Sequence, residues 1–242
     1  MMRGLLAAIG FLTRLPVPSR VYDDARAKSE SLAWYPLVGL IIGALLSGLA
    51  WLLRDTPSIL SATMLIAAWV VLTGALHLDG LADSADAWVG GLGDREKTLA
   101  IMKDPRCGPA GVVALVLVLL LKFAALASFS STPWTALLLA PWLARAGLTA
   151  LFLTTPYVRS GGLGTALMEA PRQACIAALA LSAAGSCLLF GWRGLLALAF
   201  AASVFGLWRQ ACLNRLGGFT GDTAGALAEF VELAILVGLA VR

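Results

Sequence analysis

The chain has 242 residues, of which 60% are hydrophobic and only 13% charged, and its mean hydropathy is +0.86. A water-soluble fold of this length cannot hide so much apolar surface, so a soluble globular class is excluded. The net charge of +4 comes with no nucleic-acid-binding motif; it predicts contact with anionic lipid in a bilayer and no nucleic-acid partner.

In chain order, the apolar run 4–12 comes first and ends at Arg14, Pro16 and Pro18. It is too short to span and lacks a small-residue cleavage site, so an interfacial helix within an N-terminal segment 1–30 is expected. Runs of about 20 residues, the length a bilayer core requires, follow at 32–53, 58–77, 109–131, 133–154, 173–191, 194–213 and 223–241. Only Gly191, Trp192 and Arg193 separate the fifth from the sixth. The expected fold is an all-α integral membrane protein: a bundle of about seven transmembrane helices plus an N-terminal interfacial helix, in one polytopic domain over 1–242.

Sidedness follows from the basic residues. Under seven spans, Arg3, Arg14, Arg20, Arg26, Lys28, Arg95, Lys97, Lys103, Arg106, Arg159, Arg172, Arg209 and Arg215 share the N-terminal side, against Arg54, Arg193 and Arg242 opposite. Thirteen against three predicts a cytoplasmic N-terminus and an outer C-terminus. The longest polar segment, a cytoplasmic loop at 79–108, lies on the same side. So do two glycine-bearing loops, one with Gly161, Gly162 and Gly164, the other with Gly217, Gly218 and Gly221. Cys107, Cys175, Cys187 and Cys212 show no C-x-x-C spacing and read as small apolar residues.

Chemistry concentrates at the end of the second span, in His77-Leu78-Asp79-Gly80-Leu81-Ala82-Asp83-Ser84-Ala85-Asp86. On a helix, residues three and four apart share a face, so Asp79, Asp83 and Asp86 project together. Like charges so placed call for a divalent cation, and hard oxygen donors favour Mg²⁺ or Mn²⁺ over Zn²⁺. A solvated acidic loop is the bland reading. His77, the only histidine, titrates near neutrality, donates to a phosphate, or simply sits at the interface. It has no hydroxyl or thiol partner that would make a nucleophilic triad, and a Walker loop is absent.

A second acidic group starts at Asp222 and continues as Glu229 and Glu232 inside the last span. Carboxylates within a hydrophobic helix are functional candidates, and Glu229 falls nearly in line with Asp222 at roughly 100° per residue. The plainer alternative makes Asp222 a helix N-cap and the glutamates partners of buried bases. Lys122 and Arg145 are the intramembrane cations; they either neutralise those glutamates or face a cavity entered by a phosphorylated substrate. Lys103-Asp104-Pro105-Arg106 places further cations near the first aspartates, as a pyrophosphate site or as a positive-inside anchor.

Four ordered motifs together resemble the cobalamin synthase family, the adenosylcobinamide-GDP ribazoletransferases. They are Phe11-Leu12-Thr13-Arg14-Leu15-Pro16, the His77 to Asp86 run, Ile101-Met102-Lys103-Asp104 with Arg106 and Gly108, and Gly217-Gly218-Phe219-Thr220-Gly221-Asp222 with Gly225-Ala226. The pattern departs from the family at Pro105 and at Pro109-Ala110. The resemblance implies a Mg²⁺-dependent inner-membrane enzyme of the last steps of vitamin B12 assembly. Such enzymes join adenosylcobinamide-GDP to α-ribazole or its 5′-phosphate and release GMP, so the implied partners are a corrinoid nucleotide and a ribazole. On this reading Asp79, Asp83, Asp86 and Asp222, with Glu229, are candidate metal ligands, and one carboxylate or His77 acts in catalysis. Arg14, Lys103, Arg106, Lys122 and Arg145 are candidates for the substrate phosphates. The corrinoid is too large for a buried pocket, so an open cytoplasmic cleft is expected.

Two alternatives stand beside it. A CDP-alcohol phosphotransferase also carries a D-x-x-D-G-x-x-A-R metal motif, but Asp83 stands where its arginine belongs and no acid lies three residues before Asp79. An ion-coupled transporter also holds charges in its spans, but with interrupted helices in two related halves. Neither the oligomeric state nor the choice between ribazole and its phosphate is legible.

Overall fold

The computed structural model describes residues 2–159 and 163–241; Gly161, Gly162 and Arg242 lie outside the described residues. The helices are α1 (Met2–Leu12), α2 (Ala25–Ser31), α3 (Tyr35–Leu52), α4 (Ser58–Thr73), α5 (Leu76–Gly90), α6 (Arg95–Ile101), α7 (Pro109–Ala127), α8 (Trp134–Thr154), α9 (Arg172–Leu216) and α10 (Gly221–Ala240). Five stretches are long and apolar enough to cross a membrane: Ala25–Leu52, α7, α8, α9 and α10. A sixth exists only if α4 and α5 are counted as one pair, bent by 89°. The chain is a multi-pass membrane protein.

That bend corrects the expected span 58–77. Gly74 (φ 62°) caps α4 in the left-handed region, and Ala75 (φ 58°) adopts it too. Two such residues in succession end a right-handed helix and redirect the chain. As a result α5 runs across the end of the bundle instead of continuing through it. The segment expected as a loop at 79–108 therefore holds two helices, α5 and α6. Arg95 Nε donates to Leu216 O and Arg215 Nη2 donates to Trp88 O, which ties this segment to the end of α9.

The 45 residues of α9 contain a break at Gly191 (φ 56°, ψ −132°). In a straight helix residues 186 and 194 would lie about 12 Å apart. Here a Cβ on Gly194 would collide with the Ser186 carbonyl, so the chain reverses at Gly191 as Gly191-Trp192-Arg193 suggested. Divided there, α9 makes two passes.

The centre of the bundle is the α3–α8 pair. Gly39 and Gly43 form a small-xxx-small stripe that lets the backbones touch. A Cβ on Gly43 would sit 2.7 Å from Leu137 O, and one on Gly39 2.8 Å from Trp142 Cα. Leu137 O is the carbonyl that Pro141 deprives of its helical N–H donor, so the proline inside α8 lies where α3 approaches most closely. At the N-terminus, α1 buries Gly4, Ala7, Ala8 and Leu12 against neighbouring elements, and Gly4 meets Glu30 and Trp34.

Candidate active site

The two acidic motifs meet where α5 crosses α10, and glycine makes the crossing possible. A Cβ on Gly80 would stand 2.6 Å from Asp222 O, and one on Gly225 3.1 Å from His77 O. Backbone-to-backbone contact at these two positions brings Asp79 of one motif beside Asp222 of the other, and both line a cavity of about 420 Å³.

The loop before α10 is pinned from the other side. Phe219 N donates to Pro156 O and Val158 N donates to Phe219 O, each at 2.9 Å. Phe219 is fully buried, edge-on to Phe152 and Tyr157. Thr220 is the N-cap of α10: its hydroxyl accepts from Thr223 N, and Thr223 Oγ1 accepts from Thr220 N in return. Asp222, weighed above as the cap, is thus two residues past it in the first turn. Its carboxylate is left for Arg159, whose Nη1 donates to Oδ2 at 3.1 Å and to Oδ1 at 3.4 Å.

Asp83 lies one turn along α5 from Asp79. Burial, followed by the charges of Asp79, Asp222 and Asp86, pushes its carboxyl up to about 6. This mutual repulsion marks Asp79, Asp83 and Asp222 as the donors that could hold a cation, and hard carboxylate oxygens suit Mg²⁺ or Mn²⁺. Among the described residues no three acidic, histidine or cysteine groups already stand in metal-holding geometry. Asp86 turns elsewhere: it accepts from Gly108 N at 2.6 Å and from Gly111 N at 2.9 Å, anchoring the start of α7. Gly108 and Gly111 are glycines for a visible reason, since a Cβ at either would stand 2.5 Å from that carboxylate.

His77 lines the cavity, and Arg145 Nη2 approaches its Nδ1 at 3.4 Å. Arg145, Lys122 and Glu229 do not line it. They form a buried network in which Lys122 Nζ donates to Glu229 Oε2 at 2.7 Å and to Glu232 Oε2 at 2.6 Å, while Arg145 pairs with Glu232. Of the two readings offered above for these cations, the geometry is that of internal neutralisation, with two positive and two negative side chains balanced in a low-dielectric interior. Glu229, an expected metal ligand, is thereby separated from Asp222.

The remaining cations divide. Lys103 lines a small pocket of about 60 Å³ with Arg159, Thr220 and Asp222. Arg106 forms a local clamp with Asp104, donating at 2.9 and 2.6 Å, which draws the Asp104 carboxyl down to about 2. Arg14 covers the Gly74 turn, where a Cβ would collide with its side chain. Arg159 is the residue the motif reading missed as a site member. Its signal was its place beside Pro156-Tyr157-Val158, a segment whose pairing with Phe219 no spacing rule reveals.

A model of the cobalamin-5-phosphate synthase family matches residues 4–240. Among curated relatives named adenosylcobinamide-GDP ribazoletransferase, that of Pseudomonas paraeruginosa strain PA7 is 56% identical over 241 residues, covering 99% of this chain and 98% of the relative. The relative from Stutzerimonas stutzeri strain A1501 is 57% identical over 240 residues, covering 98% of each chain. The one from Pseudomonas putida strain GB-1 is 55% identical over 237 residues, covering 97% of each. No solved structure matches the chain.

Proposed function

The chain belongs to the cobalamin-5-phosphate synthase family, and from that premise we propose that it joins adenosylcobinamide-GDP to α-ribazole, or to α-ribazole 5′-phosphate. GMP is released and adenosylcobalamin, or its 5′-phosphate, is formed. A ribose hydroxyl attacks the phosphorus that bears the cobinamide arm, the bond from that phosphorus to the GMP oxygen breaks, and GMP leaves.

The observation that carries the reading is the α5–α10 crossing, which sets Asp79 and Asp222 on one cavity, with Asp83 one turn along α5 within reach of both charges and Arg159 against Asp222. A pyrophosphate must be neutralised before an oxygen nucleophile can approach it, and a carboxylate cluster alone would repel it. We assign Mg²⁺ to Asp79, Asp83 and Asp222; when bound there it supplies that neutralisation. Arg159 and Lys103, which line one small pocket with Asp222, orient the phosphate oxygens by charge-assisted hydrogen bonds. His77, buried in the cavity lining, is a candidate proton carrier or donor. We further place the protein in the inner membrane with this cavity facing the cytoplasm, on the strength of the thirteen basic residues on the N-terminal side against three opposite.

The test is GMP release by the purified full chain in detergent, given adenosylcobinamide-GDP and α-ribazole with and without Mg²⁺. Release that requires both substrates and the metal supports the reaction. No release under any of these conditions would overturn it.

A further inference from the structure

The cavity has two chemically distinct halves. Asp79, Asp222, Arg159 and His77 make one polar end. The other end is formed by Phe11, Tyr35, Phe152 and Tyr157, with Leu148 and Leu167 beside them. The rings come as two stacked pairs: Phe11 on Tyr35 with centroids 6.2 Å apart, and Phe152 on Tyr157 at 6.1 Å. The Tyr35 hydroxyl is paired with Ser31, and the Tyr157 hydroxyl accepts from the backbone N–H of Gly164, itself part of the lining. The aromatic end therefore offers flat surfaces and a single side-chain donor, the O–H that Tyr157 keeps after accepting from Gly164.

Volume narrows the occupant. About 420 Å³ falls in the roughly 300–1,000 Å³ range of small-molecule sites. A nucleoside fits inside; a corrin macrocycle with its amide arms and nucleotide does not. We infer that, within the reaction proposed above, this cavity seats the ribazole nucleoside, its fused aromatic base between the two ring pairs and its ribose toward Asp79 and Asp222, and that it selects benzimidazole-type bases over purines.

Polarity decides against the other flat candidate, the guanine of GDP. Guanine carries donors and acceptors along its edge, and burying them without partners forfeits their hydrogen bonds to water. A dimethylbenzimidazole has no exocyclic polar group, stacks on aromatic faces, and gains from burying its methyls. With the base at the apolar end, the ribose hydroxyls fall at the acidic end. The corrinoid nucleotide then approaches from the open side, where Arg159 and Lys103 meet its phosphates. An adenine riboside fits the volume but not the polarity, since one tyrosine O–H cannot pair its exocyclic amine and its several ring nitrogens.

Steady-state GMP release, with each substrate varied in turn, tests the inference. Phe11→Ala removes one ring from a partly exposed position, and Leu167→Phe narrows the same end from a segment outside the bundle. Both are expected to raise KM for α-ribazole about tenfold while KM for adenosylcobinamide-GDP stays within about twofold. The parent should favour the dimethylbenzimidazole riboside over the adenine riboside by at least about tenfold in kcat/KM. A rise confined to the corrinoid substrate, no rise in either variant, or equal use of the two ribosides would overturn the inference. Failure of the parent to release GMP at all would strike the proposed reaction itself and is read separately.

Discussion

Three aspartates that look equivalent in sequence have different surroundings, and the difference is measurable. Asp79 is exposed at the cavity and Asp86 holds two backbone N–H groups at the start of α7. Asp86→Ala is therefore expected to lower stability by about 2 kcal/mol, seen as a drop in the midpoint of thermal unfolding in detergent. Asp79→Asn should leave that midpoint in place and cut GMP release by more than the roughly 10–100-fold typical of groups behind a ligand. An unstable Asp79→Asn and a stable, inactive Asp86→Ala would reverse the assignment. Asp83 adds a pH signature. Its folded carboxyl titrates near 6, above the ordinary 3.8, so ionising it opposes folding. That opposition is absent below about pH 4, where the group is protonated in both states, and fully present above about pH 6. Metal-free Asp83→Asn should consequently unfold at a higher temperature than the parent at about pH 7, with the gap closing as pH falls through that window. A constant gap, or none, would show that repulsion at this site is unimportant.

At the scale of elements, small residues set the contacts and the buried charges test whether the packing is closed. Gly39 and Gly43 join α3 to α8, while Gly80 and Gly225 join α5 to α10. Without the second contact, the two acidic motifs could not share a cavity. Farther into the membrane, Lys122 joins α7 to α10 through both glutamates and lies 4.9 Å over the Trp69 ring. Lys122→Met leaves Glu229 without its partner, whereas Glu232 keeps Arg145. The loss of one buried partner costs roughly 3–5 kcal/mol in a dry site and less in membrane interiors. The yield of folded protein should fall in Lys122→Met and recover with Glu229→Gln added, more than with Glu232→Gln, because the latter strands Arg145 instead. Equal recovery from either glutamine would mean that the two glutamates are interchangeable.

For the molecule as a whole, the hydrophobic runs marked the long crossing helices and the break near Gly191, because bilayer thickness imposes a length that composition records directly, but the expected span 58–77 is instead α4 bent by 89° into α5. The turn at Gly74-Ala75 was not legible, since a non-glycine residue in the left-handed region carries no signature of its own. With it went the direction of α5. Asp79 and Asp222 could be grouped from helical spacing and shared sidedness, but Arg159 could not, because it reaches Asp222 through an isolated bridge between Tyr157 and Phe219. Similarly, spacing put Glu229 in line with Asp222, yet Lys122 holds it inside the bundle. The passes themselves make a final claim that can be checked in cells. Gly93, between α5 and α6, lies at the cavity end, whereas Trp192 and Arg193 lie at the opposite end, sharing a pocket with Ser128–Ala136 of the α7–α8 connection. A reporter inserted after Gly93 should therefore read cytoplasmic, and one inserted after Arg193 should read periplasmic. The proposed orientation rests on the basic asymmetry, since only Arg54, Arg193 and Arg242 oppose it. The proposed substrates impose the same requirement, since a nucleotide-bearing corrinoid must reach Asp79 and Asp222 from the side where nucleotides are made. Inverted reporter signals would leave the fold intact but move the cavity to the wrong compartment, and the proposed reaction would then have no access to its substrates.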